Sequence, residues 1–481
     1  GDDHNWSVWH GNQPFESYGG THGFMSEFGF QSFPEPKTVE TYTTPEDRAS
    51  VTTPVMRLHQ KNGDGHGNEK IAETITNYFR KPKDFDSTLW LSQMLQAYGI
   101  QYGVEHWRRD WPKSTGSLIW QYNDCWPVAS WAAVDYGGNW KALMYAARHF
   151  YSPLLVSATA NAAKRQADVY ICNDLKDASK GTVSWSLTDL AGTELDKGSS
   201  DVDIPAGTSS TKVQTIDLKD QMTKAGKQNV LLWLKLVVDG QTVSQNLLTF
   251  VRAKVLALQD PALTADVTKA DDGYDVTVTA AHPALYTWLE LQDTTARYSD
   301  NFVHLRAHEP VTIHVTPATP MSLDDVRKAL HVRSLFDTYD ATEGATADNV
   351  PISDGVPVVA SSVTKEGGDE LIAENVVDGD EGTRWSSASS DNQWIYVDLG
   401  SSKSITDIKL DWEHAAGKDY DIEVSDDAQN WTLVKSVTGN KTTGWLDYPN
   451  LNTKGRYVRL NCKTRTTQYG FSLFEFQVFG S

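Results

Sequence analysis

The hydrophobic period of this chain changes at Pro153, and that change limits its fold more than any other feature. Upstream, Leu91, Leu95, Tyr98 and Tyr102 recur at three- and four-residue spacing between Asp86 and Trp107, which predicts an amphipathic helix. Only Gly- and Pro-punctuated segments precede it. Ser117 to Trp120 then reads as a short strand bounded by Gly116, and Asn139 offers an N-cap to a second helix running to Phe150 and stopped by Pro153. Strand, loop and helix in that order is an α/β signature. Downstream the period is two. Val183, Trp185 and Leu187 alternate with polar residues, as do Tyr274, Val276 and Val278, and Asp239-Gly240 and Asp272-Gly273 mark turns between such strands. This pattern predicts β-sandwich domains of about 100 residues each.

With 481 residues the chain has room for three or four domains. The expected boundaries are an α/β part over 1–152, sandwiches over 153–256 and 257–345, a linker over 346–357 and an all-β domain over 358–481. One short helix interrupts the second sandwich, where Ser322 and Asp325 form a capping box ahead of Leu330. The linker lies in a stretch, 341–357, rich in Gly, Pro, Ser, Thr and Asp. Trp394–Leu399, Ile405–Trp412 and Arg456–Leu460 are expected strands of the last domain.

Forty-three Lys and Arg against 63 Asp and Glu leave a net charge of −20, which repels nucleic acid and anionic membrane surfaces. No stretch approaches the roughly 18 apolar residues of a membrane span, and the nearest, Val230 to Val238, is broken by Lys235. Cys125, Cys172 and Cys462 lie too far apart for a disulfide framework or a paired metal-site spacing. The chain opens at Gly1 without a charged-then-apolar leader, so a signal peptide is expected, if anywhere, upstream; the compartment stays open, with a secreted or periplasmic one favoured. Nine of the 17 tryptophans fall within the first 140 residues, a density that suits a sugar-stacking pocket as well as a core.

Phe24-Met25-Ser26-Glu27-Phe28-Gly29-Phe30 is a short apolar strand presenting one carboxylate before a glycine turn. The segment from Ser26 to Pro34 closely resembles the nucleophile strand of β-mannosidases in glycoside hydrolase family two. Gly116 to Pro127, Ser130-Trp131 and Asp135 to Leu143 resemble the eighth barrel strand and closing helix of that family, and Gly1 to Gly11 resembles the approach to the nucleophile strand. The resemblance covers about residues 1–155. It implies a (β/α)₈ barrel with its site at the C-terminal strand ends, followed by immunoglobulin-like sandwiches with a packing role. It also implies retention of anomeric configuration by two carboxyl groups about 5–5.5 Å apart. Glu27 matches the nucleophile, and catalysis would need no cofactor.

The acid/base of the family is a Glu preceded by Asn on the fourth strand, and no Asn-Glu occurs upstream of Glu27. Asn68-Glu69 lies downstream, in a Gly-rich stretch read as a solvated turn. A barrel of this kind needs about 250 residues, so the resemblance implies the C-terminal part of a longer enzyme, inactive alone, whose N-terminal part carries the acid. By the same resemblance Trp120 is the aromatic platform under the bound mannose, and Trp9 and His10 line the pocket rim. His4, Trp126 and Asp124 rank lower.

Ala373 to Ser387, Trp394 to Gly400, Arg456 to Leu460 and Tyr469 to Phe476 closely resemble the discoidin-like module of coagulation factors five and eight. In carbohydrate enzymes such modules are jelly rolls that bind glycan at loops on one end, for which Glu413, His414 and Arg465 are the candidates. Asp378, Asp380 and Thr383 place three oxygen donors on one Gly-containing turn, and the family pattern brings Glu475 to it, a set that suits structural Ca²⁺.

The activity implied is an exo-acting β-mannosidase on oligosaccharides or glycans. An exo-β-glucosaminidase of the same family and a non-catalytic glycan-binding protein are the alternatives.

Overall fold

The computed structural model describes residues 1–161, 164–292, 294–340, 351–366, 369–379 and 382–480. Residues 341–350, which include the first part of the linker expected over 346–357, therefore lie outside the described residues. The chain forms two compact units, one of Gly1–Ala160, Ala167–Ile216 and Asn229–Gly344, the other of Asn161–Gln166, Asp217–Gln228 and Ala345–Ser481.

The first unit begins with three parallel strands, β1 (Asp2–Asn5), β2 (Phe24–Phe28) and β3 (Gly116–Ile119), in the order β1-β2-β3. Three such strands do not close into a barrel by themselves. Between β2 and β3 run α1 (Pro36–Glu40), α2 (Pro54–Leu58), α3 (Gly67–Tyr78) and α4 (Phe85–Arg109), and after β3 comes α5 (Ala142–Phe150). The first three helices replace the irregular chain expected ahead of α4. Ile71, Ile75 and Tyr78, all buried, carry the helical spacing of α3. The start of α5 is also later than expected, because Asn139 belongs to a loop in which its N–H reaches Asp135 Oδ1 at 2.9 Å.

Helix α4 organises this region. Asp84 accepts from the Ser87 N–H at 2.7 Å as N-cap, and His106, Arg108 and Arg109 complement the negative end of the helix dipole. Glycine at 99 is a packing device. A Cβ there would overlap the ring of Phe15, which belongs to the 3-10 turn Phe15–Gly20 lying against the helix. Losing roughly 1 kcal/mol of helix propensity is the condition for that approach.

Antiparallel sheets follow. Gln241–Leu248, Val230–Val238, Ser179–Asp189 and Glu194–Ile204 form one in that order, and Leu154–Asn161, Gln166–Asn173 and Ser209–Asp217 form another. Asp239 and Gly240 both have positive φ, as a two-residue hairpin turn requires. Val230–Val238 is apolar throughout except at exposed Lys235 because both its faces are covered. The next two sheets are Thr264–Ala270, Gly273–Thr279, Val311–Pro317, Ala296–Tyr298 and Val303–Leu305, Ala284–Leu291, Leu330–Arg333. The helix Leu323–Ala329 begins where the sequence places it, with Ser322 accepting from the Asp325 N–H.

The larger hydrophobic core of the unit joins Phe28, Leu95 and Trp107 to Leu231, Trp233, Leu256, Trp288 and Tyr339, and a separate core gathers Val276, Leu289 and Ile313. Charged side chains tie the same elements. Arg252 donates to both oxygens of Glu16 at 3.1 and 3.2 Å, Tyr78 Oη donates to Glu16 at 2.7 Å, and Arg80 donates to the Leu256 carbonyl at 2.7 Å.

The second unit is built on the long strand Gln393–Trp412, which pairs with Thr453–Arg465 on one side and Ser472–Gly480 on the other. The two strands expected at 394–399 and 405–412 are its halves, with a register irregularity between Asp398 and Lys403. Trp385, Trp412, Tyr420, Phe471 and Phe476 fill its core.

Candidate active site

Parallel pairing puts the ends of β1, β2 and β3 side by side, and the register decides which residues meet there. On β1, Asp3 opposes Met25 and His4 opposes Glu27; on β3, Ser117 opposes Met25 and Ile119 opposes Phe28. Against both neighbours β2 therefore carries one extra residue between Met25 and Phe28. This is a β-bulge at Ser26-Glu27, the kind of irregularity that re-aims a side chain at a sheet end. Glu27 is partly exposed. Trp6 Nε1 donates to its Oε1 at 2.8 Å, and His4 Nδ1 stands 3.9 Å from the same oxygen.

Trp120 follows β3. Its N–H donates to the Phe28 carbonyl at 2.8 Å, and its side chain is 43% exposed. The peptide bond Trp120-Gln121 is cis. Gly29 is needed beside it, since any Cβ at that position would collide with the Trp120 carbonyl oxygen. The structure thus links Glu27 and Trp120 through adjacent backbone. Tyr122 and Tyr136, on the same loop region, are also exposed.

Trp9 is a correction. It is fully buried, meets Phe30 and Trp131 edge-on at 5.1 and 5.7 Å, and is part of the core and not of a rim. His10 is exposed and packs on Trp6 at 5.4 Å. Asp124 is buried too, accepting from Ser130 Oγ at 2.6 Å and pairing with Lys61 at 3.2 Å, so it holds the loop together. Asn68-Glu69 is no solvated turn: Asn68 is buried in the first turn of α3, donating to the Val51 and Met56 carbonyls, and Glu69 pairs with Arg57. Trp6 is the residue that sequence reasoning passed over. Its position directly after β1 was the available signal.

In the second unit Glu413 is half-buried and accepts from the Ala415 N–H at 2.9 Å, while His414 is exposed. Arg465 is occupied, bonding Asp391 of another loop at 2.9 Å and the carbonyls of Gln468 and Tyr469 of its own loop at 3.0 Å, and Tyr469 is 59% exposed. Of the cation-ligand candidates, Asp378 and Thr383 come together, the Thr383 hydroxyl donating to Asp378 Oδ2 at 2.7 Å. Glu475 is buried on Ser472–Gly480, and Asp380 lies outside the described residues. Lys227 donates to the carbonyls of Asp378 and Val377 at 2.9 and 3.2 Å and pairs with Asp354 at 3.1 Å. No helix among the described residues is long and apolar enough to cross a membrane.

Comparison with known proteins follows the same division. Residues 165–254 match the family described as Mannosidase Ig/CBM-like domain, 258–338 an Ig-fold domain, and 357–476 an F5/8 type C domain. Beta-mannosidase B of Aspergillus terreus is 28% identical over 339 residues, which is 66% of this chain and 39% of that protein. The beta-mannosidase of Bos taurus is 28% identical over 342 residues, 66% of this chain and 37% of its own length. The beta-D-mannosidase of Dictyoglomus thermophilum superposes with a TM-score of 0.63 at 28% identity, covering 69% of this chain and 40% of that one. The chain thus spans about two fifths of the relatives it matches. It is related to the β-mannosidases over about two thirds of its length, and it carries a mannosidase Ig/CBM-like domain, an Ig-fold domain and an F5/8 type C domain.

Proposed function

We propose that Glu27 is the nucleophile of a retaining, exo-acting β-mannosidase whose general acid comes from outside these 481 residues. The observation that carries this reading is the bulge that turns Glu27 out at the end of the middle parallel strand, with its carboxylate held by the Trp6 indole. In this reading β1, β2 and β3 are an arc of a (β/α)₈ barrel and share its C-terminal rim.

Glu27 attacks the anomeric carbon of a terminal β-mannose and forms a glycosyl ester, while a second carboxyl group protonates the departing oxygen. Water then releases mannose with its configuration retained. Trp6 fixes which carboxylate oxygen is free to attack. Trp120 offers its exposed indole face to the apolar side of the sugar ring. Among the described residues, the side chains at the Glu27 carboxylate are an indole and an imidazole, which supports an acid supplied from elsewhere. The two-carboxyl mechanism needs no metal or cofactor.

The C-terminal module binds glycan at its end loops, with Tyr469, held out by the Arg465 clamp, as a stacking surface. Asp378 and Thr383 supply hard oxygen donors to a structural Ca²⁺ there.

The decisive experiment is Glu27→Gln in the protein translated from the whole reading frame. Turnover of an aryl β-mannoside should fall by several orders of magnitude, and a 2-fluoro-mannosyl inhibitor should label Glu27. Near-normal turnover, or a label on another residue, would overturn the assignment. Aryl β-glucosaminide should be a poor substrate in the same assay, and a preference for it would make the enzyme a glucosaminidase.

A further inference from the structure

At the opposite end of β2 from Glu27, the loop before the strand meets the end of α4. His22 Nδ1 lies 2.7 Å from Asp110 Oδ2, and the rings of His22 and His106 are 6.1 Å apart. One ring nitrogen from each histidine and one oxygen of Asp110 all lie within 4.8 Å of one another. We propose that His22, His106 and Asp110 form a zinc site that clamps the chain ahead of the proposed nucleophile strand to the C-terminus of α4.

The donor chemistry selects the metal. Two imidazoles and one carboxylate are a three-ligand set suited to Zn²⁺, with a water in the fourth position, and are too nitrogen-rich for Ca²⁺ or Mg²⁺. Outer-shell partners are in place as well. His106 Nε2 faces the Thr21 carbonyl at 3.3 Å, and Ser114 Oγ donates to Asp110 Oδ2 at 2.9 Å, contacts of the kind that orient ligating groups.

The local field also favours a cation. Asp110 is the C-cap of α4, so the negative end of a 25-residue helix points at the cluster. Two positive side chains lie close. Arg109 is turned away onto Glu105 and Ser157, while Lys113 stands 3.7 Å from Asp110 Oδ1 on a side chain 72% exposed and free to swing out. His22 is 49% exposed, which gives an ion an entry path, and the 2.7 Å His22–Asp110 contact needs to open only slightly for a metal with bonds of about 2.0 Å to enter.

The test uses the 481-residue chain, Zn²⁺ and calorimetry, with thermal melting alongside. One Zn²⁺ should bind per chain and raise Tm, and Co²⁺ in its place should give the visible absorption of a tetrahedral site. Removing an outer-shell partner typically costs about 10–100-fold in metal affinity, so Ser114→Ala should weaken binding by that amount and His22→Ala by more. Because His22 is exposed, its variant should keep the melting curve of the metal-free parent. No heat with the parent, or Zn²⁺ bound equally well by His22→Ala and by Asp110→Asn, would overturn the site. The second result would place any bound zinc on other histidines.

Discussion

The indole N–H of Trp6 donates to Oε1 of Glu27 at 2.8 Å, joining the residue after β1 to the carboxylate on the bulge of β2. A hydrogen bond to a charged group contributes about 1.5–3 kcal/mol. In the complete enzyme Trp6→Phe should therefore lower kcat by roughly ten- to a hundredfold while KM changes little, since the ring keeps its packing against Trp131 and His10. Steady-state kinetics on an aryl β-mannoside decide it. An unchanged kcat would separate Trp6 from the positioning of Glu27.

Glu35 should make the protein lose stability toward neutral pH. Its Oε1 is buried without a hydrogen-bond partner, and burial, followed by the Asp135 charge, pushes its carboxyl up to about 7. The folded state then holds this proton more tightly than the unfolded chain, so stability falls between about pH 4.5 and pH 7 and levels off above. The full effect is up to about 3 kcal/mol. Urea unfolding across that range should show the slope, and Glu35→Gln should flatten it. A variant with the parent's slope would exclude Glu35 as its source.

Gly99→Ala should destabilise the chain although alanine is the better helix former. The added methyl would overlap the Phe15 ring, and overpacking of this kind costs about 1–3 kcal/mol. Pairing it with Phe15→Leu should recover part of the loss in a double-mutant cycle. Stabilisation by Gly99→Ala alone would show that the 3-10 turn can yield.

Arg252→Leu should cost about 3–5 kcal/mol, the penalty for leaving one partner of a buried ion pair uncompensated. Glu16 would keep its hydrogen bond from the Tyr78 hydroxyl but not its counter-charge, and both charged side chains are at most 10% exposed. Removing both charges with Glu16→Gln should be milder than the single change. Denaturant titration of the three variants measures this, and additive losses would argue against coupling.

EGTA should lower the melting temperature of the C-terminal unit and added Ca²⁺ should restore it by mass action, if Asp378 and Thr383 hold the ion. Because EGTA also strips Zn²⁺, repeating the titration on His22→Ala keeps this result separate from the histidine cluster. Calorimetry with no Ca²⁺ heat would retire the calcium reading.

The sheet regions were the more legible part of this sequence, for a physical reason. Alternation in Gly273–Thr279 and the Asp239-Gly240 turn are local properties, and the folded chain keeps them. Helices α1 to α3 were hidden because two of them are five residues long and α3 starts inside a Gly-rich stretch, where its apolar spacing is short. Trp9 shows a second kind of limit. A tryptophan among other tryptophans suits a pocket or a core equally well, and only the positions of Phe30 and Trp131 decide in favour of the core. The bulge at Ser26-Glu27 was not readable at all, since it depends on what β1 and β3 place opposite.

The larger core of the first unit, which joins α4 to the sheets after it, has a consequence for how such chains can be recombined. Trp90 on α4 meets Trp288 at a tilt, 5.5 Å away, and Trp288 lies parallel to Phe302 at 6.0 Å. A crossover that exchanged residues 258–338 for the corresponding segment of a distant relative would strip Trp90 of its matched surface and expose an indole that now sees almost no water. The pieces of this unit are therefore heritable as a block, and chimeras should survive only where both sides of the Trp90–Trp288 contact come from one parent.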